Sequence, residues 1–244
     1  MSGDESDRSS GPEAPVDGRS LRWEDHKAAR RNQVLDAAMS AIDAEGAGVG
    51  VQQIAARAGL PRSVVYRLFR ERGDLDEQVR GHIVSTLMVS LAPALAPEGK
   101  AETAIVRAIN TYVSWIAEHP NLHHFLGSGS KRRPATVSKV VSGTKTAIGL
   151  YVTDVFATAL RRAGADESGA ETIAFGVIGL VDAAVNRWLS SRTRSISKDK
   201  LAELVSRSAW HVIHGSLSDL GIEIDPDTPL SELTGDIRPL LIAQ

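Results

Sequence analysis

The densest chemistry in the chain lies in residues 51–75, VQQIAARAGLPRSVVYRLFRERGDL. From Arg57 to Arg72 five arginines, Arg57, Arg62, Arg67, Arg70 and Arg72, stand against a single acid, Glu71. Arginine pairs bidentately with guanine or with a phosphate, and the hydroxyls of Ser63 and Tyr66 donate to phosphate oxygens. Arginines alone describe any solvated helix face. What gives these a direction is the spacing of the apolar residues around them. Ile54, Ala55 and Ala58 form a patch on one short helix, Gly59 and Leu60 turn the chain, and Pro61 opens a second helix where a missing N–H costs nothing. In that second helix Val64, Val65, Leu68 and Phe69 recur at three- and four-residue intervals and form the inward face. Arg62, Ser63, Tyr66, Arg67 and Arg70 are left outside. Two short helices joined by a glycine turn make a helix-turn-helix unit, whose second helix can enter the DNA major groove.

Other chemistries find less support. EHPNLHH sets His119 and His123 four apart with His124 adjacent, and HVIH sets His211 and His214 three apart, spacings that can bring two imidazoles to one helix face. Pro120 interrupts the first of these, and no nearby acid completes a ligand set. The chain has no cysteine, so neither a disulfide framework nor thiolate chemistry is available. No Gly-x-Ser-x-Gly elbow, phosphate loop, HExxH or paired Glu-x-x-His occurs. The expectation is a protein that is not an enzyme and that carries no cofactor and no metal.

The elements that must position the arginines are helical throughout. The 244 residues are 42% apolar and 24% charged, enough for one or two soluble domains with a substantial core. The net charge of −2 means that attraction to DNA must come from local clustering. The opening MSGDESDRSSGPEAP lacks the basic-then-apolar order of a secretory signal, and AFGVIGLVDAAV is short and broken by Asp182, so a cytoplasmic location with no membrane partner is expected. Residues 1–21, rich in Gly, Ser, Pro and Asp, read as a disordered tail. Arg22, Lys27, Arg30 and Arg31 then precede a first helix built on Val34, Leu35, Ala38, Met39 and Ile42; they can hold phosphate or simply solvate a helix start.

After Gly73, Asp74 reads as the N-cap of a long helix to Leu95. Further helical patterns cover residues 99–118, a short segment to Leu126, 135–164, 168–191 and 197–219, with no period-2 strand pattern. The fold class is therefore all-α. A three-helix helix-turn-helix domain (22–72) is followed by a helical-bundle regulatory and dimerisation domain (73–220). A C-terminal extension (221–244) adds a strap around residues 236–242. AETIAFGVIGLVDAAVNRWL is apolar nearly all round, so more than one face must be covered, either by the domain and a second subunit, with Val181 and Val185 as interface positions, or on all sides as the central helix of a monomer. Tyr112, Trp115, Phe125, Phe156, Asn186 and Trp188 are the candidate lining of a small-molecule pocket, each of them equally at home in a core. Such a bundle suits an elongated, lipid-like effector, with Lys131, Arg132 and Arg133 placed to meet an anionic head group.

Over about residues 28–80 the chain resembles the tetracycline-repressor (TetR) family of bacterial transcription regulators. RRNQVLDAAMSAIDAEGAGVGVQQIA resembles the family's first helix, its closing glycine (Gly46) and the entry to the second helix, and AGLPRSVVYRLF resembles its recognition unit. Carried over residue by residue, the resemblance implies that Tyr66 contacts a phosphate and that Arg72 is the phosphate-binding cation three residues after Phe69. It implies further that Arg62, Ser63, Val64 and Arg67 face bases or backbone and that Gln52 reaches toward the groove. Gly50 and Pro61 stand where capping hydroxyl residues are common, and Val64 replaces another hydroxyl. The implied protein is a homodimer joined through its last two long helices. It represses from a palindromic operator in double-stranded DNA and is released by an apolar or amphipathic small molecule. The competing expectation is a helical ligand- or metal-binding sensor without sequence-specific DNA recognition.

Overall fold

The computed structural model describes residues 18–127, 138–191, 195–223, 225 and 227–235. The helices run α1 (Gly18–Glu45), α2 (Val51–Arg57), α3 (Arg62–Leu68), α4 (Arg72–Ala94), α5 (Ala101–Glu118) and α6 (Pro120–Gly127). They continue as α7 (Lys139–Arg162), α8 (Ala170–Ser190), α9 (Lys198–Asp219) and α10 (Leu230–Thr234). Among the described residues the β pairing is an isolated bridge between Lys100 and Pro229. The all-α expectation therefore holds, with each boundary set by local chemistry.

α1 begins at Gly18, ahead of the boundary expected at residue 22. Its second half packs Val34, Ala38, Ala41 and Ile42 into the core, and Gly46 closes it at φ +86°, a left-handed conformation that favours glycine. α2 ends the same way. Gly59 sits at φ +63° and the Leu60 amide returns to the Ala55 carbonyl at 2.9 Å, so the sharp turn into α3 depends on a residue with no Cβ. At the start of α2, Gly50 cannot cap with a side chain, and Gln53 compensates by accepting the Gly50 amide at 2.8 Å through Oε1.

Asp74 is not the N-cap of α4. The helix starts at Arg72 with Glu71 in the capping position, and Asp74 lies inside the first turn, where Oδ2 accepts the Arg70 amide at 2.9 Å. That bond, with those from Gln78 and the nearby Arg31 and Arg70, holds the Asp74 carboxyl below its usual range in spite of partial burial. α4 then runs from the helix-turn-helix unit into the body and buries Leu75, Val79, Ile83 and Met88.

Two imidazole–carboxylate contacts and one amide tie α1 to the body. His82 of α4 meets Asp36 at 2.6 Å, and His119, just before α6, meets Asp43 at 2.9 Å. Asn121 in α6 donates to the Asp43 carbonyl at 2.8 Å. In the body α5 packs on α9 and α7 on α8, where the ring of Phe175 sits over Gly149 and leaves no room for a Cβ. The C-terminal segment lies along the α4–α5 loop, with Leu230 donating to Gly99 at 2.7 Å and Ala101 to Thr228 at 3.2 Å, and α10 rests on α7. The strap expected at residues 236–242 lies outside the described residues.

α8 is long and apolar enough to cross a membrane by length and composition, yet only 17% of its most apolar window is buried. Its uncovered side is a stripe through Phe175, Gly176, Gly179 and Ala183, beside Leu204, Val212 and Gly215 on the exposed face of α9. Val185 is fully buried and Val181 half-buried, so neither stands on the open face where an interface residue was expected.

Candidate nucleic-acid interface and effector cavity

α3 buries Val65, half-buries Val64 and Leu68, and leaves Arg62, Ser63, Tyr66 and Arg67 exposed, while just past its end Phe69 inserts into the core and Arg70 returns to solvent. The full burial of Phe69, of the order of 1.5–3 kcal/mol, fixes the roll of α3 about its axis and so decides which side chains face out. Arg62 is aligned by its neighbour one turn on: Nη2 donates to the Tyr66 hydroxyl at 3.1 Å and the guanidinium lies 5.2 Å from the ring centre.

Charge pairing sorts the five arginines. Arg57 is held by Glu45 at 3.1 Å and Arg72 by Asp76 at 2.8 Å, whereas among the described residues Arg62, Arg67 and Arg70 make no ion pair with a carboxylate. Arg72 spends only Nε on Asp76 and stays half-exposed, leaving its other donors for a phosphate. Burial raises the Asp76 carboxyl above its usual value, and the flanking Arg72 and Arg80 oppose that rise. Gln52 is exposed on α2. Arg31 serves the architecture, with Nε on Gln78 at 2.6 Å, Nη1 on the Leu68 carbonyl at 3.3 Å and its guanidinium 5.0 Å over Phe69. Lys27 borders the cleft formed by Tyr66, Arg67 and Arg70.

The body encloses a second site, a cavity of about 350 Å³. Leu87 and Leu91 of α4, Ile109 of α5, Ile148 of α7 and Val177 of α8 stand in its wall. Of the expected lining, Tyr112, Phe156 and Asn186 reach it. Trp115, Phe125 and Trp188 do not. Trp115 is buried against His119, Phe125 lies under the Arg80 guanidinium at 4.8 Å, and Trp188 donates Nε1 to the Ile196 carbonyl at 3.0 Å. All three are core residues, and the indole edge of Trp188 finds its acceptor locally. Lys131, Arg132 and Arg133 lie outside the described residues.

Three lining residues with a role in the cavity were absent from the expected set: His123 of α6, Lys145 of α7 and Asp182 of α8. Asp182 is the centre of a polar cluster, accepting from Lys145 Nζ at 2.9 Å and from the Tyr112 hydroxyl at 3.4 Å, while Asn186 bonds its backbone carbonyl at 2.8 Å. Burial raises the Tyr112 phenol far above its ordinary value, with Asp182 adding to the rise, so the group is an O–H donor. Burial also lowers the His123 imidazole; Asp182 opposes that shift and Lys145 reinforces it. His119 turns to Asp43 and His123 to the cavity, so the pair does not converge. Among the described residues no group of three or more His, Asp or Glu is placed to hold a metal.

A head of short helices with an exposed cationic third helix, on a helical body with its own cavity, is an all-α helix-turn-helix architecture. Comparison with known proteins narrows this. An IclR helix-turn-helix domain model matches residues 37–71, a span confined to the recognition unit and its approach. The chain is 28% identical over 201 residues to the HTH-type transcriptional regulator Rv0472c of Mycobacterium tuberculosis, covering 82% of this chain and 84% of that protein. It is 25% identical over 182 residues to the HTH-type transcriptional activator FasR of Mycolicibacterium smegmatis, covering 74% and 81%. A TetR-family regulator from Streptomyces coelicolor superposes with a TM-score of 0.63 at 19% identity, over 80% of this chain and 86% of the other. A TetR-like regulator from Rhodococcus sp. RHA1 gives 0.54 at 23% identity, over 77% and 97%. The chain carries the fold of the TetR-family transcriptional regulators.

Proposed function

We propose that the protein is a homodimeric regulator that binds a palindromic operator through α3 and leaves it when an apolar or amphipathic small molecule fills the body cavity. The observation that carries this reading is the exposed face of α3 and the chain just past it, where among the described residues Arg62, Arg67 and Arg70 make no ion pair with a carboxylate and Arg62 is already aligned by Tyr66. Unpaired guanidiniums on a short helix after a glycine turn suit phosphates and guanine edges. Gln52, Ser63, Val64 and Arg72 complete the proposed contact set, with Val64 offering its methyls to a thymine methyl. Two heads placed about 34–36 Å apart would occupy successive major grooves. The uncovered stripe of α8 and α9 is the proposed dimer surface, because an apolar helix of that length in water needs a second cover.

Coupling follows from shared elements. α4 carries Arg72 at its start and cavity walls in its middle, while α6 grips Asp43 of α1 at one end and presents His123 and Leu126 to the cavity at the other. A ligand that separates these helices therefore re-aims the head. Moving the equilibrium from one extreme to the other needs about 10⁴-fold preference for the released state. Repression is the proposed outcome of operator occupancy. Similarity to the transcriptional activator FasR favours activation as the second reading.

The deciding experiment measures binding of the purified protein to the DNA upstream of its own coding sequence across a salt series, with a transcriptional reporter on the same fragment. Steeply salt-dependent, sequence-selective binding that lowers the reporter is expected. A raised reporter would establish activation instead, and binding equal to that of random duplex would leave the helical ligand sensor.

A further inference from the structure

The cavity is apolar on nearly every side, so the polar groups that interrupt it decide what kind of head group it accepts. They lie close together: Asp182 holds Lys145 at 2.9 Å and Tyr112 at 3.4 Å, and His123 stands on the same lining. Their charges sum to zero. The Asp182 carboxylate and the Lys145 ammonium cancel, the phenol of Tyr112 is protonated, and burial favours the neutral form of His123.

Resting on the effector reading above, we infer that the cavity selects an uncharged amphiphile: an aliphatic chain ending in a hydroxyl, ester, lactone or amide. A fatty carboxylate would have to draw Lys145 away from Asp182, leaving the Asp182 carboxylate half-buried and unpaired beside a second negative charge. A fatty amine meets the mirror problem, since among the described lining residues only Asp182 can pair it and Lys145 is then the stranded charge. An uncharged head leaves the ion pair intact. It accepts from the His123 ring or takes the Tyr112 hydroxyl over from Asp182, and a hydroxyl or primary amide also donates to a free lone pair of Asp182, while the chain lies along Leu91, Ile109 and Phe156. At about 350 Å³ the cavity stands at the small end of ligand sites, which run from roughly 300 to 1,000 Å³, so a bulky phosphorylated carrier does not fit inside.

The test compares octanol, octanamide, octanoate and octylamine, one chain length with different heads, by titration calorimetry on the full chain at neutral pH. Operator release is followed separately with each compound. The alcohol and amide are expected to bind at least about tenfold more tightly than the two ions. Asp182→Asn, which leaves Lys145 unpaired, should move the preference to octanoate. Lys145→Met, at a half-exposed side chain that the fold does not need, should move it to octylamine. A wild-type protein that takes octanoate as tightly as octanol, or a ranking that neither substitution changes, overturns the inference. Failure of all four to bind overturns it together with the effector cavity. The expected ranking without operator release upholds the head-group assignment and removes only the coupling.

Discussion

The two polar clusters of this chain treat charge in opposite ways. On α3 and just past it, Arg62, Arg67 and Arg70 face solvent and, among the described residues, form no ion pair with an acid. In the body, Lys145 reaches the cavity already neutralised by Asp182. A surface that leaves cations unpaired is suited to a polyanion, which brings many phosphates and releases many counterions. A pocket that cancels its own charge is suited to a ligand with none. The exposed face of α9 behaves in a third way, since Lys200 and Arg207 there are both spent on Glu203 and a row of cations offers DNA nothing.

The largest effect is expected from separating the two heads. A Cβ at Gly179 meets nothing within 4 Å, so Gly179→Glu is tolerated by the single chain, yet it places a charge on the uncovered stripe of α8. Sedimentation should show monomer, and operator affinity should fall on the order of 10²-fold or more as half the contacts are lost. A dimer that survives this change would move the interface elsewhere.

Next in size come the recognition arginines. Arg62→Ala and Arg67→Ala should each weaken operator binding by roughly 1–3 kcal/mol and relax preference at one base position. Arg72→Ala should weaken all sequences alike and lower the salt slope, as expected of a phosphate contact. Footprinting and binding on single-base variants of the operator distinguish the two patterns. Three unchanged affinities would remove the contrast between the α3 face and the neutralised pocket.

A smaller effect concerns His123. Burial holds its folded value below the ordinary 6.5, so the unfolded chain takes up the proton first, and the stability tied to this residue drains away as pH falls below 6.5 toward the folded value. His123→Gln removes that loss. Melting temperatures of the two proteins, aligned at neutral pH, should separate under mild acid with the variant falling less. Parallel curves would show that the imidazole is not held neutral by the cavity. The smallest effect is the control: Arg161→Ala breaks an exposed pair with Glu167 at the end of α7 and should leave both melting temperature and operator affinity within error.

The two clusters also differ in how far they could be read from the chain alone. The recognition unit is encoded within a short stretch. Its glycine turn, its three- and four-residue apolar spacing and its arginines are neighbours in sequence, and the exposed set on α3 was legible residue by residue. The start of α4 was placed too late because Asp74 does accept a backbone amide, but from Arg70 and from one turn inside the helix. The cavity's polar cluster takes Tyr112, His123, Lys145 and Asp182 from four different helices, and no local pattern unites them. Tyr112 is marked by its bulk, His123 by its spacing from His119 and Asp182 as the acid that breaks an apolar run, but nothing in the sequence marks Lys145 or joins the four. Aromatic bulk misled where it served packing. Trp115, Phe125 and Trp188 have the composition of a pocket wall and the surroundings of a core.

Asp182 has one more consequence, for the chain before it folds. α8 emerges from the ribosome as a stretch with the length and apolarity of a bilayer-spanning segment. An aspartate near the middle of such a segment opposes insertion by roughly 2.5–3.5 kcal/mol on the scale read by the translocation machinery. The carboxylate that organises the cavity's polar end thus also steers the nascent chain away from the membrane, and replacing it with leucine would risk misrouting the protein during synthesis.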